Sequence, residues 1–176
     1  MVAQVEYSTQ VDTLNARHAQ HAPGNQVFTY TFDELLLQNG GQLSSVTLAY
    51  ETWGSLNVEA DNAVLITHAL TGNAHAHDSE HPDDPKVAWW NPLIGPGRLF
   101  DTSRYFVICS NVLGGCYGST GPASLNPATG SPYRMDFPII TMRDIVRAQH
   151  ALVEHFGVRE LAMVAGGSIG GQQALE

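Results

Sequence analysis

Hydrophobic positions fall in short β-type runs over much of the sequence and follow a clear helical period near residue 150. VFTYTF, which follows Gln26, gives way at the NGG turn of Asn39 to Gly41 to SVTLAYETWG, where Val46, Leu48, Tyr50 and Thr52 alternate with their neighbours. Two such runs around a turn predict an antiparallel opening pair. Ala63 to Thr67 (AVLIT), Tyr105 to Cys109 (YFVIC) and Leu161 to Ala165 (LAMVA) are instead continuously apolar. Unbroken apolar strands suit a sheet covered on both faces, so the sheet is expected to become parallel from AVLIT onward.

The spacing predicts a helix over Met142 to Phe156, with Thr141 as N-cap, Asp144 three residues later and Gly157 just past the end. Its apolar side is Met142, Ile145, Val146, Ala148, Leu152, Val153 and Phe156. Such a helix packs one face on the sheet and leads into LAMVA, which makes a strand, helix, strand unit with a right-handed crossover. The stretches 78–102 and 111–138 are rich in Gly and Pro, and long loops on an α/β sheet usually carry function. Residues 1–25 lack apolar periodicity and read as a mobile leader. Residues 26–176 read as the N-terminal part of one α/β catalytic domain.

Composition narrows the function. The chain has 176 residues, 43% hydrophobic and 14% charged, with a net charge of −9 and one lysine, Lys86. A nucleic-acid binder needs clustered Lys and Arg to displace counterions, and an anionic membrane surface needs the same. Neither partner fits. No apolar run approaches the length of a membrane span and no secretory leader is evident, so a cytoplasmic protein is expected. Cys109 and Cys116 suit neither a disulfide framework nor a zinc ribbon and read as reduced thiols.

The chemistry concentrates at Gly166-Gly167-Ser168-Ile169-Gly170, a G-x-S-x-G between the LAMVA strand and a helix start. Small residues on both sides let a sharp strand-to-helix turn form and leave the Ser168 hydroxyl projecting as a nucleophile. A capping serine in a tight turn is the bland alternative. An acyl-transfer nucleophile also needs two N–H donors where the oxyanion develops. Ile169, the residue after the serine, supplies one. The other is assigned to Leu70, in the His68-Ala69-Leu70-Thr71-Gly72 loop that leaves AVLIT at the same end of the sheet.

LAYETWGSLN, ITHALTGNAHA, WWNPLIGPGR, FDTSRYFVICSNVLGGCYGSTGP, FPIITMRDIVRAQ and GGSIGGQQALE occur in this order, and together they resemble the homoserine O-acetyltransferases of methionine biosynthesis. The resemblance runs from about Phe28 to the last residue, and NVLGGCYGSTGP is far more specific than the elbow pattern. It implies an α/β-hydrolase fold, a mostly parallel sheet with antiparallel N-terminal strands, left incomplete at the C-terminus. It further implies that Ser168 accepts an acetyl group from acetyl-CoA, a co-substrate rather than a bound cofactor, and passes it to L-homoserine. A homodimer is implied for the complete enzyme. Ile169 and Gln172 stand where the family is expected to carry methionines, and neither change touches a backbone donor. A succinyl donor, or water as acceptor in an esterase, are the alternatives.

Other constellations read more plainly. His75, His77 and His81 in HAHDSEHPDD match no metal-ligand spacing and read as a solvated loop, so no metal is expected. NVLGGCYGSTGP lacks the lysine of a phosphate loop, and its glycines read as allowing close packing beside the elbow. Cys116 has no evident base, and Trp89 and Trp90 could line an acyl pocket or belong to the core. Arg143 and Arg147 read as a solvated helix face. In this fold the acid and histidine follow the serine, yet all eight histidines precede Ser168. These residues are therefore expected to be the front portion of a longer enzyme, and inactive and poorly soluble alone.

Overall fold

The computed structural model describes residues 26–84 and 86–176; the leader expected over residues 1–25 lies outside them. In chain order the elements are β1 (Phe28–Leu36), β2 (Gln42–Trp53), β3 (Ala63–Thr67), β4 (Phe106–Ser110), β5 (Leu125–Asn126), β6 (Ser131–Pro132), a 3-10 turn at Arg134–Asp136, α1 (Met142–His155), β7 (Leu161–Gly166) and α2 (Ile169–Leu175). Five strands form one sheet in the order β1-β2-β4-β3-β7, while β5 and β6 make a separate small ribbon. The β1–β2 and β2–β4 pairs are antiparallel; β3 runs parallel to both β4 and β7. The sheet is thus antiparallel at its N-terminal side and parallel beyond, as the hydrophobic pattern predicts.

Helix α1 begins with the expected capping box: the Thr141 hydroxyl accepts from the Asp144 N–H, and the Asp144 carboxylate accepts from the Thr141 N–H at 2.8 Å. Its other carboxylate oxygen accepts from the Gln38 N–H at 2.8 Å, which ties the helix start to the end of β1. Ile145, Ala148, Leu152, Val153 and Phe156 bury against Leu48, Leu65, Phe106 and Ile108 on one face of the sheet. The opposite face buries Trp53, Val64, Ile66, Val107 and Cys109 under Ile94 and Phe100, with Trp89 and Trp90 packed against them. The segment that supplies this second cover, residues 68–101, contains no helix among its described residues. Trp90 stacks on Phe100, and both tryptophans are half-buried against this cluster.

Two pattern readings need correction. From Leu48 to Trp53 every residue of β2 is buried, not alternate ones, because this half of the strand lies between covered neighbours on both sheet faces. β7, hydrogen-bonded to β3 on one side alone, is an apolar edge and only half buried, with Ala162 and Met163 exposed. Val146 and Met142 also sit less deeply than their period suggests, whereas polar Gln149 is buried at their level.

Candidate active site

β3 and β7 end side by side, with Thr67 paired to Gly166. Two loops leave from this point, and every predicted site residue lies on one of them. After β7 the chain turns through Gly167 and Ser168 into α2. Ser168 has φ 57° and ψ −125°, a region that costs a non-glycine residue roughly 1–3 kcal/mol. Strain of this kind holds the side chain out of the turn; Ser168 is exposed and makes no capping bond to the helix. The turn closes tightly on β3. A Cβ at Gly166 or Gly170 would overlap the Thr67 carbonyl, which explains the glycine on either side of the serine. The Thr67 hydroxyl, buried in this contact, donates to the Gly170 carbonyl at 2.8 Å.

The second loop is held by His68. The Val112 N–H donates to His68 Nε2 at 3.2 Å, which leaves the proton on Nδ1, and that N–H donates to the Ala69 carbonyl at 2.7 Å. Burial pushes the His68 pKa down, consistent with a neutral ring. The same Ala69 carbonyl accepts from the Gly72 N–H at 2.8 Å. A trans peptide is planar with its C=O and N–H pointing oppositely. Two donors on the Ala69 oxygen therefore aim the Leu70 N–H away from the His68 ring and out of the loop. Among the described residues neither the Leu70 nor the Ile169 N–H has a partner. Two unpaired amides on loops that leave adjacent strand ends can stabilise an anion on a group held between them.

The HAHDSEHPDD loop departs from expectation in its first part alone: Ala76 to Asp78 are built into the sheet cover, while Ser79, Glu80, His81, Asp83 and Asp84 are exposed as expected. His77 and Asp78 are buried, and Asn91 organises them. The Asn91 side-chain oxygen accepts from the His77 ring at 2.9 Å and the Asp78 N–H at 2.7 Å, while its nitrogen donates to the His81 and Asp84 carbonyls. His75 donates through Nδ1 to buried Glu51 on β2, at 3.0 Å, and the hydrogen bond to that carboxylate holds the His75 pKa up. Its Nε2 is 3.7 Å from Asp78. Among the described residues no group of three His, Cys, Asp or Glu side chains is placed to hold a metal ion.

The remaining candidates fall into structural roles. The NVLGGCYGSTGP loop packs on β2 and on itself: Ser119 and Thr120 accept from the N–H groups of Ala49 and Thr47, and a Cβ at Gly121 would overlap the Gly115 carbonyl. Through Val112 it reaches His68, a link the glycine pattern did not announce. Cys116 is exposed; Cys109 is buried, which drives its thiol pKa well up. Arg143 pairs with Glu176 on an exposed face, and Arg147 reaches the Leu36 carbonyl at 3.4 Å. No helix among the described residues is long and apolar enough to cross a membrane.

A profile of the family described as "alpha/beta hydrolase fold" matches residues 62–176. The chain is 57% identical over 146 residues to a homoserine O-acetyltransferase of Carboxydothermus hydrogenoformans, which covers 83% of this chain and 38% of that protein. It is 61% identical over 142 residues to one from Solidesulfovibrio magneticus, covering 81% and 36%. Among solved structures, the homoserine O-acetyltransferase from Bacillus anthracis superposes with a TM-score of 0.78 at 38% identity, over 85% of this chain and 42% of that one. Esterase E22 superposes with the same score, 0.78, at 36% identity and the same coverage, 85% and 42%. The chain thus spans about two fifths of the length of the relatives it matches.

Proposed function

The chain belongs to the α/β-hydrolase fold family, and from that premise we propose that the protein transfers an acetyl group from acetyl-CoA to the hydroxyl of L-homoserine through an acetylated Ser168. The observation that carries this reading is the 55–61% identity to proteins named homoserine O-acetyltransferase, over a span that reaches four fifths of the chain. The exposed, strained Ser168 and the two unpaired amides support it.

In the proposed sequence a base takes the Ser168 proton and the oxygen attacks the thioester carbonyl carbon. The resulting oxyanion is held by the N–H groups of Leu70 and Ile169. Collapse breaks the C–S bond, and CoA leaves as the thiol with the proton the base returns. The homoserine hydroxyl then attacks the acetyl-enzyme, passes through a second oxyanion in the same place, and releases O-acetylhomoserine and free Ser168. The base is not His68, whose two ring nitrogens are engaged by the Val112 N–H and the Ala69 carbonyl. The reading places the protein in methionine biosynthesis, in the cytoplasm, as a homodimer that takes acetyl-CoA as co-substrate.

Esterase E22 favours a second reading, in which water replaces homoserine as acceptor on the same acetyl-enzyme. One experiment separates them. Full-length protein incubated with acetyl-CoA alone should gain one acetyl group on the Ser168 peptide, and CoA release should then depend on homoserine. Steady CoA release without homoserine would establish the esterase. Label that survives Ser168→Ala would overturn both.

A further inference from the structure

Two glutamines buried between the helices and the oxyanion loop have no part in the chemistry above. Gln149 on α1 is 2% exposed and Gln173 on α2 is 3% exposed. The Gln149 Nε2 donates to the Gln173 Oε1 at 2.8 Å. The Gln173 Nε2 in turn donates to two carbonyls, Ile169 at 3.3 Å and His68 at 3.5 Å. The orientation of both amides follows from the partners. A backbone carbonyl only accepts, so the nitrogen of Gln173 must face Ile169 and His68, its oxygen must face α1, and Gln149 must present its own nitrogen.

One carboxamide therefore spans the two segments that carry the unpaired amides: His68 opens the loop that bears Leu70, and Ile169 opens α2. The Thr67 hydroxyl makes a second tie between the same segments through the Gly170 carbonyl. We propose that Gln173, held in register by Gln149, is a positioning residue that sets the separation of the Leu70 and Ile169 N–H groups. This rests on the acetyl-Ser168 reading. Neither glutamine touches substrate. Gln149 acts at one further remove, by keeping the Gln173 nitrogen turned toward the two carbonyls.

The test uses full-length protein and S-trifluoroacetonyl-CoA, a ketone that Ser168 attacks to leave an oxyanion in the hole. Gln173→Met should lower kcat by about 30- to 100-fold, since displacements near 1 Å at a reacting centre cost about that much. Affinity for the ketone should fall by the same factor, while the Kd for CoA itself moves less than about twofold. Gln149→Glu offers the opposite polarity: its carboxylate accepts from the Gln173 nitrogen and turns the Gln173 oxygen toward the His68 and Ile169 carbonyls. It should lose more kcat than Gln149→Met, which leaves Gln173 free to keep its bonds.

A Gln173→Met enzyme with kcat within threefold of wild type overturns the proposal. So does a kcat loss with ketone affinity intact, which marks a general folding defect. If Gln173→Met does not fold, the two Gln149 variants decide, and equal kcat in both overturns it. A wild-type protein that gains no acetyl group on Ser168 removes the parent reading, and this one with it. Normal labelling of the wild type with unaffected variants removes only this one.

Discussion

The two faces of the sheet are covered in different ways. On one face α1 lies across the strands, satisfies its own backbone hydrogen bonds, and presents Ile145, Leu152 and Phe156 to an apolar cluster. On the other face the cover is chain without helix among its described residues, and in place of a helical ladder its backbone is met by scattered turn bonds such as Trp90 N–H to the Ala76 carbonyl at 2.9 Å. Buried side chains satisfy much of the rest. Asn91 alone bonds the backbone of Asp78, His81 and Asp84, and Asn111 bonds Ala74 and Tyr117. A concentration of His, Asp and Asn that looks like a ligand set is, on this face, the replacement for a helix.

The contrast is sharpest at Asn91 and Leu152, each fully buried on its own face. Asn91→Ala removes four hydrogen bonds and leaves buried partners unmet, which should cost about 3–5 kcal/mol. Asn91→Leu should cost as much, because volume is not what the site lacks. Leu152→Ala should cost about 3 kcal/mol through cavity formation, and Leu152→Met should recover most of it. Urea unfolding of the full-length variants measures all four. A stable Asn91→Leu protein would mean that both faces obey the same packing rule.

A smaller effect is expected at His68, where the loop-covered face meets the oxyanion loop. Asn places its side-chain nitrogen near the position of Nδ1, and Gln reaches the position of Nε2. His68→Asn can still donate to the Ala69 carbonyl and should keep kcat within about tenfold. His68→Gln still meets the Val112 N–H but releases that carbonyl, and should lose about 50-fold. Steady-state kinetics with acetyl-CoA and homoserine decides. The reverse order would mean that the link to Val112, not the Ala69 carbonyl, places Leu70.

The helix-covered face was legible in the sequence and the loop-covered face was not, for a physical reason. Thr141, Asp144 and Gly157 are local signals that act within a turn of where they stand, and the AVLIT run reports burial directly. The elbow was legible because G-x-S-x-G stands between a strand and a helix. What His75, His77 and Asp78 do depends on Glu51 and Asn91, more than ten positions away, and a polar residue that serves distant backbone reads as a solvated one. Gln149 was hidden for the same cause: on a helix the period marks apolar positions, while Gln149 is buried because Gln173 lies opposite it.

The smallest effect separates charge from hydrogen bonding on the loop-covered face. Around His75 stand Glu51 on β2, Asp78 and His77 on its own loop, His81 against Asp78, Arg98 acting on His77, and Cys109 on β4 near Glu51. The hydrogen bond to Glu51 raises the His75 pKa above the ordinary 6.5. A raised folded pKa adds stability that is fully present below 6.5 and fades as pH rises through the folded value. His68 and His77 work the other way: burial lowers both, so each costs stability as pH falls below 6.5. Removing His75 should therefore hurt most in mild acid. His75→Gln, which keeps a donor without the charge, should differ most from wild type in urea midpoint near pH 6 and least near pH 9. A gap that stays constant across this range would assign the clamp to the hydrogen bond alone, and Glu51 would then hold a neutral ring.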